Sequence, residues 1–86
     1  MTQSTVRASD ISFNEGVLRF AAVHKRVARF RYAKGPHSPV EVREFTPTRV
    51  YTSHDGHILI AGPDEDRDGA PRQYRLDRIK GDVKIP

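Results

Sequence analysis

The 86-residue sequence contains no cysteine, which excludes a disulfide framework and a thiolate zinc site and leaves the core to hold by packing alone. It has no apolar run near the roughly eighteen residues that a membrane span requires. The N-terminal "MTQSTVRASD" lacks the apolar segment of a secretory signal. The expected setting is therefore the cytoplasm, away from any membrane. No repeat, low-complexity tract or linker interrupts the chain, and at this length folding buries only about 60 to 65% of the surface that the unfolded chain exposes. One small domain is expected, with residues 1–11 as a flexible tail and residues 12–86 as the folded unit.

Acids are missing along one stretch: Lys25, Arg26, Arg29, Arg31 and Lys34 follow one another with no Asp or Glu between them. Residues 1–50 hold nine Lys and Arg against four Asp and Glu, net +5, and residues 51–86 hold six against seven, net −1, which together give the +4 of the chain. Such a basic stretch attracts phosphates, or else forms a solvated face.

Within these limits the sequence is patterned. "SFNEGVLRFAAVHKR" carries Ser12 and Glu15 at capping-box spacing, followed by Val17, Leu18, Ala21, Ala22 and Lys25 at steps of three and four, which predicts a helix from about Asn14 to Lys25. A helix this short is not stable alone in water and must dock its apolar stripe. The period then changes to two. In "VARFRYA" Ala28, Phe30 and Tyr32 alternate with Arg29 and Arg31, the pattern of a strand with one buried and one wet face. "KGPHSP" turns the chain, "VEVREF" reads as a second strand, and Pro47 cannot donate to a ladder, so it bends the chain or sits on an edge.

"RVYTSHDGHILIAG" sets Asp55-Gly56 between two strand-like runs, which predicts a two-residue hairpin pairing Val50–Ser53 with His57–Ala61. "PDEDRDGAP" reads as an acidic, solvated excursion, "RQYRL" as a further strand, "DRI" as one tight helical turn and "VKI" as a last alternation. The fold class is mainly β with one N-terminal helix. Short antiparallel strands in this number usually curl into a small barrel, which removes exposed edges.

Four stretches together resemble the WYL domain family from about Val17 to Ile85. They are the helix leading into "ARFRY", "REFTP" with Arg43 and Pro47 as an Arg-x-x-x-Pro element, "HILIAG" where the signature tripeptide lies, and "RQYRLDRI", similar to the family's "RxFRLDRI" ending. The sequence departs from the family at the tripeptide, where Trp-Tyr-Leu reads His57, Ile58, Leu59. The resemblance implies a small five-stranded SH3-like, Sm-like β-barrel and a regulatory role: sensing single-stranded DNA or RNA, or a nucleotide-like ligand, in a basic groove. Such modules serve transcription regulators, DNA-damage responses, phage defence and CRISPR effectors. Many members also carry a winged helix-turn-helix and a C-terminal extension. Neither is present in this chain, so promoter recognition by the molecule itself is not expected.

Arg43, Arg72 and Arg75 align with the family's basic positions, which makes them candidate phosphate or ligand contacts. Arginine suits that role because its planar fork holds phosphate oxygens bidentately and keeps its charge. The alternative is that each is tied to Asp77, Glu44 or a backbone carbonyl. Tyr74, on the strand face of Arg72, is the better candidate for base stacking. Tyr32 continues the apolar face of Phe30 and competes with a core role. Arg29 and Arg31 are candidates for an electrostatic rim, and Arg78 for a local contact with Asp77 or a carbonyl.

Enzymatic readings are weak. His54 and His57 lack further metal ligands. Ser53, His54 and Asp55 are adjacent and cannot converge as a triad. Asp64, Glu65, Asp66 and Asp68 lack the closing glutamate of a calcium loop. No catalytic residue, metal or cofactor is expected. The competing expectation is a protein-interaction module docking on a separately encoded regulator or nuclease, since a lone sensor must report to something. A homodimer would be compatible with either role.

Overall fold

The computed structural model describes residues 8–64 and 68–86. Residues 1–7 of the expected tail and residues 65–67 of the acidic excursion lie outside the described residues. The elements are α1 (Ala8–His24), β1 (Ala28–Tyr32), β2 (Glu41–Phe45), β3 (Arg49–Thr52), β4 (Ile58–Asp64), β5 (Ala70–Arg75), a 3₁₀ turn (Leu76–Arg78) and β6 (Ile79–Lys84). The strands form two three-stranded antiparallel sheets, ordered β2-β1-β6 and β3-β4-β5. No helix among the described residues is long and apolar enough to cross a membrane.

The helix starts earlier than its capping-box pattern predicts. Ser12 and Glu15 lie inside it, and Glu15 accepts from the Arg19 guanidinium at 2.8 Å, an i,i+4 pair instead of a cap. Ile11 and Val17 pack against the core, which extends the docked length. The helix ends on Lys25 with φ of 55°, and Arg26 N–H donates to the Ala21 carbonyl at 2.9 Å. That is a Schellman closure with lysine in the position glycine prefers.

β1 shows the predicted alternation without exception: Ala28, Phe30 and Tyr32 are buried, Arg29 and Arg31 exposed. Between β2 and β3, buried Pro47 interrupts the ladder, so one sheet ends at Phe45 and the other starts at Arg49. The result is two sheets of three strands, with no ladder among the described residues closing a five-stranded barrel. At the β3–β4 hairpin Ser53 N–H donates to the His57 carbonyl at 2.8 Å, leaving His54, Asp55 and Gly56 as the loop. Only Gly56, at φ of 89°, is left-handed, so this is a three-residue connection in place of the predicted two-residue one.

The core joins both sheets to the helix: Leu18 and Ala21 of α1 meet Phe30, Phe45, Ile60, Tyr74, Leu76, Ile79 and Val83. One polar side chain is buried with them. Asn14, 3% exposed, donates through Nδ2 to the Gly81 carbonyl at 3.0 Å and accepts through Oδ1 from Val83 N–H at 2.9 Å. It fastens α1 to β6 at a point where the β1–β6 register shifts.

Candidate functional site

The register decides which sheet face each arginine lies on. β1 and β2 place Phe30 opposite Arg43 and Ala28 opposite Phe45, and opposed residues share a sheet face. Arg43 therefore lies beside Phe30 and two residues from Phe45. β5 carries Arg72 and Tyr74 on one face, opposite Gly62 and Ile60 of β4. The Tyr74 ring bridges the sheets, with centroids 5.2 Å from Phe30, 4.9 Å from Tyr32 and 5.0 Å from Phe45, each at 80°. This edge-to-face geometry suits ring quadrupoles. Gly62 leaves the room: a Cβ there would stand 2.6 Å from the Thr46 carbonyl oxygen and 3.2 Å from Phe45 Cζ.

Two guanidiniums border this ring cluster. Arg72 Cζ lies 5.2 Å from the Tyr74 centroid, a cation–π contact. Arg43 Nη2 donates to Glu41 Oε1 at 2.5 Å, while its Nε is buried and has no hydrogen-bond partner among the described residues. Leaving such a donor unsatisfied costs about 1–3 kcal/mol.

The other expected site residues separate from this pair. Tyr74 is 3% exposed and Tyr32 7%, so both rings are core packing and neither presents a free face for a base. The expectation of a stacking platform at Tyr74 is corrected for that reason, and Tyr32 takes its alternative, with its hydroxyl accepting from Arg75 N–H at 3.1 Å. Arg75 does not share a groove with Arg72. The β4–β5 register runs without a bulge from Leu59↔Arg75 to Asp64↔Ala70, so alternation turns Arg75 to the opposite face. There its Nε and Nη2 bind Asp77 Oδ1 and Oδ2 at 2.9 and 2.5 Å. Asp77 thus pairs with Arg75 rather than Arg78, whose backbone carbonyl accepts from Ala33 N–H. Arg29 binds Glu44 at 2.6 Å across the outer face of the first sheet, which it shares with Arg31.

The hydrogen-bonded Arg75 guanidinium holds the Asp77 carboxyl below its ordinary range against the opposing effect of burial. Asp55 is lowered chiefly by the Ser53 hydroxyl, which donates to it. Two residues with defined contacts carry no expectation from the sequence, Arg49 and Asn14. Arg49 stands 4.2 Å over the half-buried Tyr51 ring, on a face continuing through Leu59 to Arg75. The signal was available, because "RVYT" repeats the Arg-x-Tyr spacing of "RQYR". Asn14 gave no signal beyond its place in a helix.

The protein-family model of the WYL domain matches residues 16–84. The chain belongs to the WYL domain family. WYL domains are regulatory, ligand-sensing domains. In this WYL domain the tripeptide positions fall at the start of β4. Ile58 packs against the core, and His57 lies in the hairpin 3.9 Å from both Asp55 and Asp77. No significant match was found among curated proteins or among solved structures.

Proposed function

We propose that this WYL domain is a non-enzymatic cytoplasmic sensor that binds single-stranded DNA or RNA, or a nucleotide-like ligand, through its phosphates. Arg43 and Arg72 are the primary contacts at the border of the Tyr74 ring cluster. The observation that carries the reading is that two guanidiniums border one ring cluster: Arg43, its side chain 26% exposed, lies opposite Phe30, and Arg72 lies over Tyr74. Each keeps its charge and can donate to an anionic oxygen, and charge-assisted bonds of this kind are about twice as strong as neutral ones. Arg72, seated over a ring, supplies a second charge. Support for a barrel-like groove comes from the three-residue break at Thr46–Thr48, as if β2 and β3 were one bent strand of an SH3-like, Sm-like fold. The test is fluorescence anisotropy of labelled single-stranded DNA, single-stranded RNA and duplex DNA with wild type and an Arg43→Ala, Arg72→Ala variant of verified fold. Loss of binding in the folded variant supports the site. Unchanged binding removes it.

A second reading has its own observation. Phe13, Phe20 and Val23 are 54, 48 and 75% exposed on α1, and with Gly16 they repeat at steps of three and four, a helix-packing stripe left uncovered among the described residues. Exposed Arg19, His24, Lys25 and Arg26 flank it. This fits docking on an acidic amphipathic helix of a separately encoded regulator or nuclease. Titration with such a peptide should be abolished by Phe20→Ser. A concentration-dependent dimer in light scattering would assign the stripe to a second copy instead.

A further inference from the structure

The outer face of the β2-β1-β6 sheet places like charges opposite each other. In the β1–β6 register Arg31 faces Lys80 and Arg29 faces Lys84, and all four side chains are exposed. Opposed like charges destabilise a ladder, so folding alone gives no reason for the arrangement. Two acids share the face. Glu44 is occupied by Arg29 at 2.6 Å, and Asp82 joins Arg29, Arg31, Val42 and Lys84 around a shallow depression. No ion pair among the described residues ties Arg31, Lys80 or Lys84 to an acid.

The position of Arg31 is also built. Gly81 has φ of +77°, and a Cβ there would lie 3.1 Å from Arg31 Nη2, so the guanidinium rests against bare backbone. That backbone is the point where β6 carries extra residues against β1, and buried Asn14 grips it through the Gly81 carbonyl and Val83 N–H. A guanidinium laid on a clamped bulge has lost most of the freedom that anion binding would otherwise remove. Arg29 and Arg31 alternate along β1, about 7 Å apart, a step that successive phosphates of an unstacked strand can span.

We propose that this outer face is a phosphate track for single-stranded nucleic acid, with Arg31, Lys80 and Lys84 as contacts and Arg29 released from Glu44 to join them. The inference rests on the phosphate-ligand reading above and narrows it: the ligand is a polymer, longer than the Arg43 and Arg72 site can hold. Labelled oligothymidylates of about three and twenty nucleotides, with oligouridylates in parallel, separate the two. The twentymer should bind wild type much more tightly than the trimer. Arg31→Ala with Lys80→Ala should weaken the twentymer about 25-fold at 0.1 M salt and flatten its log–log salt slope by about 1.4, two contacts at roughly 0.7 each, without changing the trimer. Asp82→Asn, at an exposed site, should tighten the twentymer, a gain that misfolding cannot imitate. Trimer binding with no advantage for the twentymer would overturn the track and leave the Arg43 and Arg72 site standing. An unchanged twentymer affinity in the double variant, or in Asp82→Asn should the double variant not fold, would also overturn it. If wild type binds neither oligonucleotide, the track falls together with the nucleic-acid form of the reading it rests on.

Discussion

Replacing Asn14 with alanine should be among the most damaging single substitutions in this domain, although asparagine is not a core residue by type. Its amide makes two hydrogen bonds to backbone groups 67 and 69 residues away, at 3.0 Å to the Gly81 carbonyl and 2.9 Å from Val83 N–H. The Val83 amide is buried, so losing its acceptor costs about 1–3 kcal/mol, while the Gly81 carbonyl on an exposed residue can turn to water at about 0.5–1 kcal/mol. The sum is about 1.5–4 kcal/mol. In a domain of this size each kcal/mol moves Tm by about 4–8 °C, so a fall of roughly 6–32 °C is expected. Urea and thermal unfolding followed by circular dichroism measure it, and native-state hydrogen exchange should show loss of protection at the Val83 amide first. An Asn14→Ala protein within about 0.5 kcal/mol of wild type, a value typical of ordinary surface positions, would refute the reasoning.

Gly62→Ala should destabilise by about 1–3 kcal/mol, because the added methyl meets the Thr46 carbonyl oxygen at 2.6 Å and the corner between the sheets must move; a neutral effect in urea unfolding would contradict this. Lys25→Gly should stabilise by about 0.5–1 kcal/mol, since Lys25 holds a φ of 55° to close α1, and a loss of Tm would argue against the closure. Arg75–Asp77 should be visible in the acid limb of stability. The Asp77 carboxyl is depressed from 3.8 in the folded protein, so its contribution is present above that pH and lost as pH falls through the lower folded value. Asp77→Asn should therefore be less stable than wild type at neutral pH, by about 0.2–1 kcal/mol for so exposed a pair, and should converge with it as pH falls through the depressed folded value. Parallel curves would refute the assignment.

Much of this fold was legible because its signals are local. "ARFRY" alternates and is a strand with that alternation of burial, "DRI" makes its turn, and Asp55-Gly56 marks a hairpin, though only Gly56 takes a positive φ. What the sequence could not convey depends on contacts distant in the chain. The early start of α1 follows from Ile11 reaching the core, and the split into two sheets follows from a single proline between β2 and β3. The candidate site shows the same limit. Arg72 and Tyr74 share a face as their spacing requires, but spacing gives no depth, and the ring meant for a ligand is spent on Phe30, Tyr32 and Phe45. Arg75 joins Arg72 as a candidate through the family's basic positions, although strand alternation sets the two on opposite faces unless the strand is bulged; the strand is unbulged, and Arg75 binds Asp77. Asn14 had no signature at all, since its partners are Gly81 and Val83.

Phosphate recognition by this domain is tested most directly by the salt dependence of single-strand binding. With five or six phosphates held among Arg43, Arg72, Arg31, Lys80, Lys84 and Arg29, log affinity for a single-stranded twentymer should fall with log salt at a slope of about −3.5 to −4, and duplex DNA should bind no better. A salt-independent affinity, or no binding by the folded wild-type domain at low salt, would contradict it.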